Sequence, residues 1–302
     1  MEAVVVIVGF LGAGKTSLLL RMVERYIEDG WQTNIILNDY QNAQVDAQRF
    51  LDLLDPKDVK AMSGSCICCS GLAELRQKIN EIKPREKGIT FIEANGTTDA
   101  CALMEFMGVG LNRGFLPPVQ ISVVDASNWQ KRGAHNELEA NQVQVSSLVL
   151  LNRTEDLSRE RLEEVKSQIR QVNPEVQFSY WESVDLMSFT GLPRSTNAYE
   201  KLDHSKAHWA SCSVDLPDPM SSAALEKVLA ALPDSILRVK GCTRLDEDEY
   251  YSYFEKIPSG EATVRPYRGT LVSGPKLLVV GPGSKPDVIS ELLERYKSCS
   301  PS

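Results

Sequence analysis

Two short stretches of the chain carry residue types whose spacing suits chemistry. The first is Gly9-Phe10-Leu11-Gly12-Ala13-Gly14-Lys15-Thr16, followed by Ser17. Read as G-x-x-x-x-G-K-T between an apolar strand and a helix, it is the pattern of a phosphate-binding loop. Glycine lets backbone N–H groups turn inward around an oxyanion that a Cβ would obstruct. The backbone of Gly9, Gly12, Ala13 and Gly14, with the first helical residues through Ser17, then forms the cradle, and the helix adds its positive N-terminal end. Lys15 is placed to reach the β- and γ-phosphates, and the Thr16 hydroxyl to bind Mg²⁺. The second stretch is Cys66-Ile67-Cys68-Cys69 within Met62–Gly71. Three thiols within four residues can converge on one soft cation such as Zn²⁺ or Cu⁺. A helix start beside them favours the thiolate form. The plainer alternative is a set of small buried hydrophobes.

Around these lie carboxylates that a nucleotide site would use. Asp39 follows an apolar run ending at Leu37, and Asp46 comes shortly after. Both suit a segment that contacts Mg²⁺ directly or through water, with Asp39 a candidate catalytic group and Asp46 a candidate Mg²⁺ ligand; helix capping is the alternative. Glu93-Ala94-Asn95-Gly96 closes another apolar run. Gly96 could donate its N–H to a γ-phosphate, and Glu93 could bind metal or orient water. Asn152-Arg153-Thr154-Glu155-Asp156 stands where GTPases carry Asn-Lys-x-Asp, the guanine-reading motif. Arg153 takes the lysine place and can stack on a base. Glu155 or Asp156 takes the aspartate place. A polar turn capping a helix over 158–172 is the alternative.

These groups need elements to hold them. Apolar, β-branched runs predict strands at 4–8, 33–37, 88–93, 119–125, 147–152 and 176–180, with helices over 17–29, from 72 onward and over 158–172. Strands alternating with helices predict an α/β fold, a P-loop NTPase domain with a mostly parallel sheet over residues 1–190. Gly191, Pro193, Ser195 and Asn197 mark a linker over 191–207. Residues 208–302 read as a small α+β domain: strands near 210–215, 236–240, 262–264 and 276–280, and helices near 221–232 and 286–297. Tyr250, Tyr251, Tyr253 and Phe254 read as core or sheet cover.

Composition narrows the class. The chain has 302 residues, 42% hydrophobic and 25% charged, as expected of a soluble globular protein. A net charge of -8 argues against a nucleic-acid partner. No apolar run approaches the ~20 residues of a membrane span, and the opening residues lack a signal peptide's basic region. Seven cysteines, three of them crowded together, do not form a disulfide framework, which points to a reducing cytoplasm.

The ordered set Gly9–Thr16, Cys66-Ile67-Cys68-Cys69, Glu93-x-x-Gly96 and Asn152-Arg153-Thr154 resembles the CobW-like P-loop GTPases, relatives of the hydrogenase and urease nickel-insertion GTPases. Leu237-Arg238-Val239-Lys240-Gly241 is similar to the start of that family's C-terminal domain. The resemblance implies GTP/GDP and Mg²⁺ as ligands, and Zn²⁺ or Co²⁺ held by Cys66, Cys68 and Cys69. Water or a carboxylate such as Asp39 would complete the metal site, and a recipient metalloprotein would be the partner. A second copy of the chain is a further candidate partner. The chain departs from the family in reading Asn38-Asp39-Tyr40-Gln41 for Asn-Glu-Phe-Gly and Glu93-Ala94-Asn95-Gly96 for Glu-Thr-Thr-Gly. Its histidines are limited to His135, His204 and His208, so a metal-storing tail is not expected. Two readings from other classes are a P-loop small-molecule kinase, for which the sequence offers neither acceptor pocket nor base, and a nucleotide-dependent binding module with a structural cysteine cluster.

Overall fold

The computed structural model describes residues 1–38, 47–62, 71–107, 114–195, 211–233, 236, 238–246, 248–256, 262–267, 274–280 and 286–297. The chain divides into two compact units, Met1–Ala207 and His208–Ser302. Among the described residues no helix is long and apolar enough to cross a membrane.

The first unit is built on β1 (Ala3–Val8), buried along its whole length. Such a run needs cover on both faces, and it lies at the middle of a seven-stranded sheet. The order is β3-β2-β4-β1-β5-β6-β7, with every pairing parallel. The strands are β2 (Gln32–Asn38), β3 (Val59–Met62), β4 (Gly88–Glu93), β5 (Val119–Asp125), β6 (Leu148–Asn152) and β7 (Gln177–Tyr180). Alternation along β1 separates two cores. Ala3, Val5 and Ile7 pack with Leu18, Leu19, Met22 and Tyr26 of α1 (Lys15–Glu28). Val4, Val6 and Val8 pack with Leu75 and Ile79 of α2 (Gly71–Asn80) and Leu103 and Met104 of α3 (Ala100–Met107). Tyr26 meets Phe91 of β4 edge-on at 5.3 Å. Helices α4 (Asn136–Gln144) and α5 (Arg159–Val172) complete the layers, α5 opening on Ser158, whose hydroxyl accepts from the Arg161 N–H.

The sheet is parallel throughout its described strands, and the unit holds one strand and two helices that the sequence reading omitted. Strand β3 is four residues long and interrupted by Lys60, too short for a periodic signal. Helix α3 is nearly all apolar, so it shows no stripe. Helix α4 has the opposite character. Its buried positions include Glu139, Asn141 and Gln142, and a polar inner face hides from an apolar pattern.

The second unit is a five-stranded antiparallel sheet, β11-β10-β9-β12-β8, with two helices. Its elements are β8 (Ser211–Asp215), α6 (Ser222–Ala231), β9 (Arg238–Arg244), β10 (Tyr251–Lys256), β11 (Ala262–Tyr267), β12 (Lys276–Val280) and α7 (Pro286–Lys297). Its own core joins Leu225 and Val228 of α6, Ile289 and Leu293 of α7, and Val239, Phe254, Leu277 and Val279 of the sheet. Tyr253 and Phe254 are buried sheet residues, whereas Tyr250 is 66% exposed.

Candidate nucleotide site

In a parallel sheet, ligands gather at the carboxyl ends of the strands, where the connection order reverses. Here that place is the end of β1, whose neighbours β4 and β5 lead to opposite sides. Gly9 leaves the strand at φ 144°, and a Cβ there would stand 2.3 Å from the Val123 carbonyl oxygen of β5. Gly12 and Gly14 also have positive φ, 77° and 111°. Gly14 is the residue before α1, and as a glycine it brings no side chain to cap the helix. The first-turn N–H groups of α1 therefore remain for an anion.

Lys15 is 4% exposed, and its Nζ donates to the carbonyls of Gly9 at 2.9 Å and Phe10 at 3.4 Å. The ammonium is folded back over its own loop, within reach of the phosphates that loop would enclose. Thr16 Oγ1 donates to Glu93 Oε1 at 2.8 Å. The two oxygens thus converge from α1 and the end of β4, a hard-oxygen pair of the kind Mg²⁺ takes. Beyond β4, the Ala94 N–H donates to the Ile7 carbonyl at 2.9 Å, so this segment continues beside β1. Gly96 then comes so close that a Cβ would lie 2.7 Å from the Leu11 backbone nitrogen. Glu93-x-x-Gly96 and the Gly9–Thr16 loop are one site in space.

The other wall comes from β5 and β6, paired at Asp125 and Asn152. Asn152 Nδ2 donates to the Ala13 carbonyl at 2.9 Å. Arg153, at φ 57°, does not lie free to cover a base: its guanidinium donates to the Gly12 carbonyl at 3.0 Å and pairs with Asp125 Oδ2 at 3.0 Å. Glu155 and Asp156 are exposed in the turn that follows. Ser17 follows Thr16 in the first turn of α1.

Sequence reasoning missed Asp125, which organises this wall. Burial alone would raise its pKa; hydrogen bonds from Ser127 and Asn128 and the guanidinia of Arg153 and Arg132 hold it below the ordinary carboxylate value. Its signal was its place, an acid ending a buried strand. Trp181, just past β7, was also missed; its ring comes within 3.6 Å of a Cβ built on Gly14, and Arg21 stacks on it at 4.9 Å. Behind the site, Arg132 lies over the Phe10 ring at 4.8 Å and also faces Glu139. Desolvation raises Glu139 to about 7. His135, 6.4 Å from Phe10 between centroids, is lowered by burial.

Asp39, Asp46, Cys66, Cys68 and Cys69 lie outside the described residues, as do His204 and His208. The flanks of the cysteine segment are described: β3 ends at Met62 and α2 begins at Gly71. Among the described residues no group of three or more metal-ligating side chains occurs. Cys101 and Cys242 are buried free thiols, each pushed up to about 12 by burial.

Residues 3–180 match the family described as CobW/HypB/UreG, nucleotide-binding domain. The chain is similar to the zinc chaperone YjiA of Escherichia coli (strain K12), 26% identical over 281 residues, 84% of this chain and 86% of that protein. It is also similar to zinc-regulated GTPase metalloprotein activator 1 of Dictyostelium discoideum, 25% identical over 209 residues, 56% of this chain and 43% of that protein. Among solved structures, the Zn(II)-bound YjiA GTPase from E. coli superposes over 98% of each chain with 18% identity and a TM-score of 0.41. Hydrogenase maturation factor HypB of Archaeoglobus fulgidus does so over 63% of this chain and 84% of its own, with 18% identity and a TM-score of 0.39.

Proposed function

The chain belongs to the CobW/HypB/UreG nucleotide-binding family, and from that premise we propose that it is a GTP-hydrolysing metallochaperone. It binds a transition metal, zinc or cobalt, at Cys66, Cys68 and Cys69 and passes it to a recipient metalloprotein. The observation that carries the hydrolytic half is the convergence of Lys15, the Thr16–Glu93 pair and Gly96 on one loop. The names of its relatives, a zinc chaperone and a zinc-regulated GTPase, support the metal half.

Phosphoryl transfer to water needs positioning and charge stabilisation more than covalent chemistry. Lys15 exchanges its two carbonyl partners for β- and γ-phosphate oxygens, a local movement of one side chain. Gly96 offers a backbone N–H beside the loop, and Glu93 orients water or supports the metal bound by Thr16. Mg²⁺, when bound, neutralises charge on the phosphates. Asn152 fixes the loop from the base side, and a carboxylate at 155 or 156 selects guanine over adenine.

Three thiolates suit Zn²⁺ or Co²⁺ better than Mg²⁺, and a fourth position left to water or Asp39 suits handover, since a closed four-cysteine site retains its ion. Lys15→Ala is expected to abolish GTP hydrolysis while the fold persists by circular dichroism; unchanged turnover in a folded variant would sink the hydrolytic reading. The metal reading is tested with Co²⁺: wild type should show a thiolate charge-transfer band and intense visible d–d bands. Serine at 66, 68 and 69 together should remove both. A triple variant that keeps metal stoichiometry and spectrum reduces the protein to a plain GTPase.

A further inference from the structure

The segment after β4 holds a buried donor that meets no acceptor among the described residues. Asn95 is 6% exposed. Its Oδ1 accepts from the Thr97 N–H at 2.6 Å and lies 2.7 Å from Thr97 Oγ1. Because a backbone N–H can only donate, that contact fixes which end of the carboxamide is oxygen. Nδ2 is then the other end, and among the described residues it has no hydrogen-bond partner. A buried amide left in this state is destabilising, because it has lost water and gained no acceptor. Such groups call for a ligand, and the next residue, Gly96, is packed against the phosphate loop at Leu11.

The segment is held from behind by the polar face of α4. Gln142 Nε2 donates to the carbonyls of Gly96 at 3.1 Å and Thr98 at 3.3 Å. Asn141 Oδ1 accepts from the Ala100 N–H at 2.9 Å, and Asn141 Nδ2 donates to Asp99 at 3.0 Å. The polar inner face of α4 therefore fixes residues 96–100, and with them the position of Asn95. A donor held in place before its acceptor arrives is what charge stabilisation in a transferring phosphoryl group requires.

We infer that Asn95 Nδ2 is a ligand of the terminal phosphoryl group, donating to an oxygen that a nucleoside triphosphate has and a diphosphate lacks. The inference rests on the phosphate-site reading above. It makes Asn95 a residue that distinguishes the two nucleotide states.

The test compares the full chain with Asn95→Asp, with Mg²⁺ present, in binding GDP and a non-hydrolysable GTP analogue. Aspartate keeps the oxygen that accepts from Thr97 and replaces the donor by an acceptor. Affinity for the analogue should fall at least about tenfold, the loss of a hydrogen bond to a charged group, with GDP affinity within about twofold of wild type. Asn95→Ser, which can keep the local turn through its hydroxyl, should show the same selective loss and serves if the aspartate variant does not fold. Unchanged affinity for both nucleotides, or equal losses for both, overturns the inference. If wild type binds neither nucleotide, the phosphate-site reading fails and the inference falls with it.

Discussion

Glu139 is 3% exposed, accepts from the Gln130 N–H at 2.7 Å and faces Arg132 at 3.5 Å. Its desolvation outweighs both partners and raises it from 4.5 to about 7. A carboxyl whose folded pKa exceeds its unfolded value holds its proton better in the native state. Its contribution to stability is complete below about 4.5 and is lost as pH rises through about 7. The difference corresponds to at most on the order of 3 kcal/mol. Glu139→Gln does not titrate, so its melting temperature relative to wild type should rise between pH 5 and pH 8. A constant offset across that range would mean that Arg132 keeps Glu139 ionised throughout.

At the scale of elements, the contact between β1 and β5 sets the loop's exit. Gly9→Ala puts a methyl 2.3 Å from the Val123 carbonyl in the middle of the sheet, at a φ that L residues avoid. Neither strand can retreat without breaking its ladder. The expected cost is above about 2 kcal/mol by chemical denaturation, with nucleotide affinity lost in parallel. Gly133→Ala is the control: its φ is 60° but nothing lies within 4 Å, so about 1–2 kcal/mol of backbone strain should be the whole effect. Equal costs at the two sites would show that the approach of β5 does not constrain the loop.

The same elements explain what could be read without coordinates. Strand β1 is a continuous buried run that ends before Gly9, and β2, β4, β5 and β6 are largely buried runs ending in polar residues; that pattern placed Gly9–Thr16 and Glu93–Gly96 at one edge. Helix α4 was illegible because Asn141 and Gln142 face inward, their burial offset by partners far away in sequence. Arg153 was legible by type but not by role: its ties to Gly12 and Asp125 depend on the register of β5 against β6, which no local spacing encodes.

At the scale of the whole molecule, the strand that precedes the cysteine segment ends at the sheet edge that carries the proposed nucleotide site. The strand β3 leads into the cysteine segment, and it pairs with β2, which pairs with β4, whose end carries Glu93. If nucleotide state drives metal release, the coupling has a thermodynamic signature independent of pathway. Whatever factor the GTP analogue imposes on Zn²⁺ affinity, Zn²⁺ must impose on the affinity for the analogue, in the same sense. Four dissociation constants test this on the full chain: Zn²⁺ with and without analogue, and analogue with and without Zn²⁺. A shift of at least about fivefold, equal in both directions, is expected, the lower end of ordinary coupling energies. Replacing Cys66, Cys68 and Cys69 by serine should abolish the effect of Zn²⁺ on the nucleotide while leaving nucleotide affinity at its metal-free value. Because thiols must shed protons to bind, the shift should shrink as pH falls below about 6. Zn²⁺ affinity that is identical in the apo, GDP and analogue forms would leave hydrolysis with no means of moving the metal.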